Sequence, residues 1–347
     1  MRKRAKASSG RDPRGAMLAG LLALIGGPIA HANDSTAELT TGGLVLAKTA
    51  DIEMRAEDLA ISEKQIAVRY RFFNHSAEDV TATVAFPMPD IAWEGPDTNI
   101  AVPVPDSPNF LDFHTFVDGR EVAAQNEQKA VAGGVDVSAR LQALGVSLAP
   151  QRESTWAALD ALPPARRDEL VKAGIATPND YDVGKGWEHH LAPNWTLKSS
   201  FFWKQTFPAG KEVAVEHRYR PSVGETVGTM IGSPNIDATE LGDYETLYCV
   251  DKAFLAGARQ AERLDASGSP QSPLYEKRIA YVLATGANWA GPIGDFRLTV
   301  DKGAPDSLVS FCADGVKKIA PTLFEVRHAD FTPTQDLHIL ILYRPKS

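Results

Sequence analysis

Apolar and polar residues alternate with a period of two in two adjacent segments of this chain. In residues 66–72 and again in residues 80–86, every second side chain is apolar, and this spacing is typical of a β-strand that buries one of its two faces. Residues 74–76 (Asn-His-Ser) between the two segments favour a turn. Residues 87–89 (Pro-Met-Pro) end the second segment, because proline cannot donate a hydrogen bond to a strand ladder. The alternation therefore predicts a hairpin in an antiparallel sheet.

Strand-like segments recur along the rest of the chain. Residues 213–219 alternate in the same way, and His217 falls on their apolar face, which predicts a buried, hydrogen-bonded histidine. Residues 337–343 are almost continuously apolar, over a length that is too short to cross a bilayer and that suits a central buried strand. Further strand-like segments cover residues 113–117, 121–122, 197–207, 279–283, 296–300, 308–311 and 323–327.

Two parts of the chain show helical patterns instead. Residues 136–186 contain three short helical segments, of which the third begins at Pro164 and ends at Gly174. Apolar residues recur at helical spacing after Asp251, which predicts one further amphipathic helix near residues 251–264. We therefore predict a mainly β protein, with an antiparallel β-sandwich-type architecture, a short helical insertion and this one further helix.

The first 32 residues have the composition of a leader for export. Basic residues precede an apolar segment at residues 16–29, and residues 30–32 (Ala-His-Ala) match the small-x-small pattern that a signal peptidase cleaves. Residues 1–32 are therefore predicted to be a signal peptide that is cleaved between Ala32 and Asn33, which makes the protein periplasmic or secreted. Glycine and proline interrupt the apolar segment before it reaches the ~20 residues that a membrane span needs, so we expect no membrane span after cleavage.

The mature chain divides by pattern into three parts. An N-terminal β-sandwich part covers residues 33–135, the helical insertion covers residues 136–186, and a C-terminal β part with the amphipathic helix covers residues 187–347. The mature length is sufficient for one elaborated domain or for two domains. The two β parts are therefore expected to form either one continuous domain or two.

The net charge excludes one class of partner. Residues 1–32 carry six Lys or Arg and one Asp, so removing their net charge of +5 from the formal −8 of the whole chain leaves −13. An acidic surface of this kind repels phosphate backbones. We therefore expect no nucleic acid among the partners of this protein.

Cys249 and Cys312 are the only cysteines of the chain. In an oxidising compartment an even number of cysteines favours pairing, and both residues lie in or beside strand-like segments. Closing the loop between them is worth roughly 4 kcal/mol in the chain-entropy model. A disulfide is the favoured prediction, and two separate buried thiols are the alternative.

Catalytic and metal-binding patterns are absent from the sequence. The chain has no Gly-x-Ser-x-Gly elbow and no Gly-Lys-Ser/Thr phosphate loop. Residues 188–190 (Glu-His-His) have metal-ligand side chains, but neighbouring residues point apart on a strand or helix, so this segment favours a polar loop. We therefore predict no catalytic residue, no metal and no cofactor. The rival hypothesis is a periplasmic hydrolase with a site assembled from distant residues, around His189, His190 and the acids.

Tryptophan is concentrated in one segment. Trp187, Trp195 and Trp203 fall within 17 residues, and exposed aromatic rings there could stack on sugars or anchor a protein partner. The alternative is that these rings pack the insertion against the sheet, because tryptophan is highly buried on average. With His189 and His190, these three residues are the candidate binding residues of the chain.

Five segments carry a resemblance to a known family. They are residues 33–39 (Asn-Asp-Ser-Thr-Ala-Glu-Leu), 68–74 (Val-Arg-Tyr-Arg-Phe-Phe-Asn), 85–89 (Ala-Phe-Pro-Met-Pro), 216–221 (Glu-His-Arg-Tyr-Arg-Pro) and 288–294 (Asn-Trp-Ala-Gly-Pro-Ile-Gly). Together they resemble the secreted bacterial family of domain of unknown function 4424, over nearly the whole mature chain. The resemblance implies an exported, mostly β protein, and it implies no activity and no catalytic residues.

A shorter stretch is similar to the vault/inter-alpha-trypsin β-sandwich domain. It contains residues 73–76 (Phe-Asn-His-Ser), 86–89 (Phe-Pro-Met-Pro), 117–120 (Val-Asp-Gly-Arg) and the Glu127 to Ala130 spacing. That likeness implies a role in protein–protein assembly. The predicted export, the β-rich pattern and the lack of a recognisable catalytic constellation make a non-catalytic binding or cell-envelope assembly module the leading hypothesis, with a protein or glycan of the envelope as its partner. A glycan-binding protein that uses the Trp-rich segment, and the hydrolase, are the alternatives.

Overall fold

The computed structural model of the chain describes residues 35–40, 43–93, 95, 101–182, 184–261, 263–264, 270–271 and 273–345. The predicted signal peptide, with its cleavage site between Ala32 and Asn33, lies outside the described residues.

Strands dominate the N-terminal third of the chain. They are β1 (Ser35–Thr40), β2 (Gly43–Ala47), β3 (Ile52–Ile61), β4 (Ile66–Asn74), β5 (Val80–Pro87), β6 (Ile91–Ala92), β7 (His114–Val117), β8 (Arg120–Val122), β9 (Gln125–Ala132) and β10 (Val135–Asp136).

Helices are confined to two later parts of the chain. The first part contains α1 (Ser138–Ala143), α2 (Glu153–Asp160) and α3 (Pro164–Lys172), followed by strands β11 (Ala176–Asp182), β12 (Trp187–Pro193), β13 (Thr196–Phe207), β14 (Glu212–Tyr219) and β15 (Gly224–Thr226). The second contains α4 (Ala238–Tyr248) and α5 (Lys252–Ala261), followed by β16 (Arg263–Leu264), β17 (Pro270–Gln271), β18 (Tyr275–Tyr281), a 3-10 helix (Ala284–Asn288), β19 (Ile293–Asp301), β20 (Leu308–Phe311), β21 (Lys317–Lys318), β22 (Leu323–Phe331) and β23 (Leu337–Tyr343).

The strands form three main sheets. The first sheet has the order β10-β9-β13-β5-β1-β2, and β6 also pairs with β13. The second has the order β21-β22-β19-β3-β4-β14-β7-β8, and the third has the order β15-β18-β23-β20. Among the described strands, neighbours run antiparallel, except that β19 and β3 are parallel. Two separate hairpins, β11–β12 and β16–β17, complete the strands.

The main core lies between the inner faces of the sheets. Phe86 of the first sheet packs on His217 of the second, with ring centroids 4.8 Å apart, and Trp203 meets the same imidazole edge-on at 5.3 Å. His217 is fully buried, and its Nδ1 lies 3.1 Å from Thr115 Oγ1. The buried, hydrogen-bonded histidine that the alternation predicts is therefore confirmed. The third sheet contributes Ile279 and Ile339 to the same core.

Two smaller clusters cover the helices. Leu141, Leu159 and Leu170 from the three short helices pack with Trp195 and Leu191 in one of them. In the other, α4 and α5 pack against one face of β23. Because both faces of β23 are covered and β23 pairs on both sides with other strands, the central buried strand predicted at residues 337–343 is confirmed.

The fold class predicted from the sequence is confirmed, with additions. The structure is mainly β and antiparallel, and it has the helical segments of the insertion and the amphipathic helix that begins after Asp251. Helix α4 was not predicted, and neither was β11. The prediction of a polar loop at residues 188–190 was wrong, because these residues lie within strand β12. None of the helices in the described ranges is long and apolar enough to cross a membrane.

The predicted disulfide is present. Cys249 and Cys312 are bonded, with their Cα atoms 5.0 Å apart and a sequence separation of 63. Cys249 ends α4 in the left-handed conformation (φ 52°), and Cys312 follows β20. The bond therefore ties the end of α4 to β20, the edge strand of the third sheet.

Candidate functional site

Three of the five candidate binding residues lie on one hairpin. Trp187, His189 and His190 belong to β12, which pairs with β11 so that Trp187 is opposite Asp182 and His189 is opposite Asp180. We call residues 176–193 the hairpin arm. Since paired residues of an antiparallel ladder share a face, Trp187 and His189 lie on one face of the arm and His190 lies on the other.

The outer half of the hairpin arm is exposed on both faces. All described residues from 180 to 189 are exposed, including Trp187 at 67 % and Tyr181, on the opposite face, at 46 %. A two-stranded hairpin is at best marginally stable by itself in water. The conformation of the outer half must therefore depend on how its base is held.

The base of the arm is held by polar contacts to helices α2 and α3. Asp160, at the end of α2, accepts hydrogen bonds from His190 Nδ1 at 2.6 Å and from the Leu191 backbone N–H at 3.0 Å. Arg167 of α3 donates through Nη2 to the carbonyl oxygen of His189 at 2.9 Å. These bonds fix the β12 backbone at the point where the arm leaves helices α2 and α3.

The contacts of His190 suit a role in anchoring the arm and do not suit proton transfer. Its Nε2 lies 3.1 Å from Glu188 Oε2, so both ring nitrogens face carboxylates. The hydrogen bond to Asp160, followed by the one to Glu188, raises the pKa of His190 above its usual 6.5. The ring of Tyr181 stacks on the imidazole with a centroid distance of 4.8 Å and an angle of 9°. With both nitrogens engaged, His190 has no free acceptor for a substrate proton.

The Trp187 face of the arm combines an apolar ring with polar neighbours. His189 Nδ1 lies 3.2 Å from Asp180 Oδ2, and the imidazole side chain is 73 % exposed. Asp182 accepts hydrogen bonds from the backbone N–H groups of Gly184 and Gly186, which fixes the turn beside Trp187. An indole ring between side chains that donate and accept hydrogen bonds can bind the flat face of a sugar or an apolar side chain of a protein.

The other two candidate tryptophans are core residues. Trp195 is 2 % exposed and donates through Nε1 to the carbonyl oxygen of Leu148, beneath the helices. Trp203 is 4 % exposed and packs between the two large sheets. The three tryptophans do not form one exposed aromatic surface, and Trp187 alone presents its ring to solvent.

No group of three or more His, Cys, Asp or Glu side chains in the described part of the chain is arranged to hold a metal ion. The contacts of the arm involve Asp160, Arg167 and Tyr181, which the sequence did not single out. Asp160 precedes His190 by 30 positions, and no local spacing indicates that the two meet. For Tyr181 the available signal was an aromatic residue within a run of polar and acidic residues.

Comparison with known proteins gives a family and distant structural likenesses. No curated protein matches the chain. Among solved structures, a Legionella pneumophila protein described as a "putative nutrient binding protein" is similar at 17 % identity and a TM-score of 0.44, over 90 % of this chain and 70 % of that chain. The family profile described as "Domain of unknown function (DUF4424)" matches residues 32–340. Since this match covers nearly the whole chain, the protein belongs to the DUF4424 family.

Proposed function

We propose that this protein is an exported, non-catalytic binding or assembly module that contacts a protein or glycan of the cell envelope through its hairpin arm. Three observations support the periplasmic or secreted location: the leader-like composition of residues 1–32, the Cys249–Cys312 disulfide and the membership of the DUF4424 family. Disulfides persist in oxidising compartments outside the cytoplasm.

The observation that carries the binding role is the exposure of Trp187. Tryptophan is highly buried on average, yet this ring is 67 % exposed on an arm whose outer half is in solvent on both faces. Exposed aromatic rings serve as anchors of binding energy in protein interfaces. The ion pair of His190 with Asp160 holds the arm at its base. Binding of a partner to Trp187 therefore has a smaller entropic cost, because less of the arm must become ordered.

The arm gives less support to the hydrolase alternative. A general base must have a ring nitrogen free to accept a proton, and both nitrogens of His190 face carboxylates. His189 is 73 % exposed, and the cleft that it lines together with Arg167 and Asp180 is open to solvent. The geometry therefore supports contact with a partner more than a reaction.

Site-specific photo-crosslinking tests this proposal. The full chain, expressed in a bacterium with its own leader, carries a benzoylphenylalanine at position 187 or, as a control, at Val227, which is 87 % exposed away from the arm. We expect a discrete crosslinked species from position 187 in the envelope fraction and none from position 227. Equal patterns at both positions, or no adduct at either, would overturn the proposal.

A matched pair of alanine variants separates the two faces of the arm. Trp187→Ala removes the ring that we propose as the anchor, and Tyr181→Ala removes the aromatic ring on the opposite face. Cosedimentation with isolated cell-wall polysaccharide reports a glycan partner, and co-purification with a crosslinked envelope protein reports a protein partner. We expect Trp187→Ala to lose whichever partner is found and Tyr181→Ala to keep it. Loss of the partner in both variants would show that binding depends on the folded arm and not on the Trp187 ring, which would contradict the role of Trp187 as the anchor.

A further inference from the structure

A second site lies at the junction of the three sheets. Here the end of β14, the middle of β18 and the start of β23 enclose a cavity of about 180 Å³, which the segment after β5 and the end of α4 complete. Tyr219, Tyr248, Arg278 and His338 line it together with apolar side chains that include Ile91 and Leu111. We call this the Tyr219 cavity.

The hydroxyl of Tyr219 is buried without a partner. The residue is 2 % exposed, and its hydroxyl makes no hydrogen bond to any part of the chain that the structure describes. Buried polar groups in native proteins are nearly always hydrogen-bonded, and an exception calls for an explanation such as a bound molecule. Burial raises the pKa of Tyr219, so the group remains an O–H donor. Tyr219 also lines the cavity, and its hydroxyl is a hydrogen-bond donor that no described residue satisfies.

Arg278 brings a fixed positive group to the same cavity. Its Nε and Nη2 donate to the carboxylate of Glu276, which is 1 % exposed, and Nη2 also donates to the hydroxyl of Tyr244. Thr229 and Tyr244 donate to the same carboxylate, so Glu276 is well satisfied and holds the guanidinium in place. The remaining nitrogen, Nη1, has no hydrogen-bond partner within the described ranges, and the Arg278 side chain is 41 % exposed.

The rest of the lining favours a ligand that accepts hydrogen bonds. The hydroxyl of Tyr248 makes no hydrogen bond to the described residues, and burial lowers the pKa of His338, which keeps that imidazole neutral. Asp90 also lines the cavity, and its carboxylate is paired with Lys198 Nζ at 2.6 Å. Tyr219, Tyr248 and Arg278 therefore bring hydrogen-bond donors to a lining whose other side chains are largely apolar.

We propose that the Tyr219 cavity binds a small organic acid. The carboxylate accepts hydrogen bonds from the Tyr219 hydroxyl and from Arg278, in the manner of charge-assisted bonds, and a short hydrocarbon chain packs against Ile91 and Leu111. The cavity volume of about 180 Å³ suits an acid of a few carbons. This site is separate from the hairpin arm and does not depend on its proposed role.

Calorimetric titration of the full-length protein with three matched probes tests the ligand class. Butyrate carries the carboxylate, butyramide is its neutral isostere, and L-2-aminobutyrate adds an ammonium that Asp90 could receive. We expect butyrate to bind and butyramide to bind at least tenfold more weakly. Tighter binding of L-2-aminobutyrate than of butyrate would identify the acid as an amino acid. Binding of neither acid, or equal binding of butyrate and butyramide, would overturn the proposal.

Two tyrosine variants test whether the hydroxyl of Tyr219 holds the acid. Tyr219→Phe removes one hydrogen bond to a charged group, so we expect the dissociation constant for the bound acid to rise about ten- to a hundredfold. Tyr275→Phe makes the same change on β18, outside the cavity, where the ring packs against Tyr343, and it should leave the constant unchanged. If water alone fills the cavity, neither probe acid binds. A Tyr219→Phe protein that binds the acid as tightly as the wild type would refute the assignment. The crosslinking experiment at position 187 tests the hairpin arm separately, so a negative result with the acids does not bear on the proposed role of the arm.

Discussion

Tyr219→Phe should raise the free energy of unfolding of this protein in the absence of added ligand. The hydroxyl that it removes is buried and has no hydrogen-bond partner among the described residues, so no hydrogen bond to the chain offsets the cost of burying it. A buried unsatisfied group of this kind costs about 1–3 kcal/mol. Phenylalanine keeps the ring and its packing, and the variant is therefore expected to gain an amount in that range.

Urea denaturation followed by intrinsic fluorescence measures this gain, and Tyr281→Phe is the matched control. Tyr281 is also fully buried, but its hydroxyl lies 3.2 Å from that of Tyr70, so its removal should lower the free energy of unfolding by about 1 kcal/mol. The same chemical change should therefore act with opposite signs at the two positions. A midpoint that falls in Tyr219→Phe as it does in Tyr281→Phe would show that the Tyr219 hydroxyl is already satisfied.

Two further predictions concern the disulfide and the base of the hairpin arm. Replacing Cys249 and Cys312 together by serine should lower the free energy of unfolding by roughly 4 kcal/mol, because the bond closes a loop with a sequence separation of 63; an unchanged urea midpoint would contradict this. An NMR titration should give His190 a pKa above 6.5 that Asp160→Asn lowers, since Asp160 provides the first of the hydrogen bonds that raise it. A pKa that is raised by folding stabilises the arm below pH 6.5, and this contribution is lost as the pH rises through the folded-state value. A pKa at or below 6.5 would refute the anchoring role.

The parts of the fold that the sequence predicts are elements with at least one buried face. Strands β4 and β14 alternate strictly, because their inner residues enter the core and their outer residues meet water. Strand β23 is apolar throughout most of its length, because the main core covers one face and the helical layer covers the other. Asp251 accepts a hydrogen bond from the backbone N–H of Phe254, which explains why the start of α5 could be placed from its capping residue.

Two of the elements that the sequence did not predict, the outer half of the hairpin arm and α4, lack such a signal for identifiable reasons. The outer half of the hairpin arm is exposed on both faces, so its strands have no apolar face from which an alternation could arise. Helix α4 buries only Tyr244 and Tyr248, and two residues on one stripe do not make a readable periodicity. Its clearest local sign is Asp237, whose carboxylate accepts from the N–H groups of Thr239 and Glu240. A capping residue without an apolar stripe behind it does not distinguish a helix from a turn.

The candidate sites were only partly predictable, because each depends on contacts between distant segments. Trp187, His189 and His190 were singled out by residue type, but the anchoring partner of His190 is Asp160, which comes from a different helix. Tyr219 lies on the inner face that the alternation of residues 213–219 indicates, and its burial is as expected. That its hydroxyl has no partner follows from the packing of three sheets around it, which no local pattern records.

Glu276 and Tyr219 are both buried polar residues near the third sheet, but only Tyr219 points to a binding site. Glu276 is as deeply buried as Tyr219, but its carboxylate accepts hydrogen bonds from Thr229, Tyr244 and Arg278, so structural demands alone explain why it is kept. The hydroxyl of Tyr219 is not satisfied in this way, and a phenylalanine would fill the same space without the desolvation penalty. A buried polar atom without a partner in the fold calls for an explanation, and a bound molecule or an ordered water are the two that the cavity allows. If the free energy of unfolding of Tyr219→Phe exceeds that of the wild type, the hydroxyl lowers the stability of the fold. The acid-binding experiment then tests whether the same hydroxyl contributes to ligand binding.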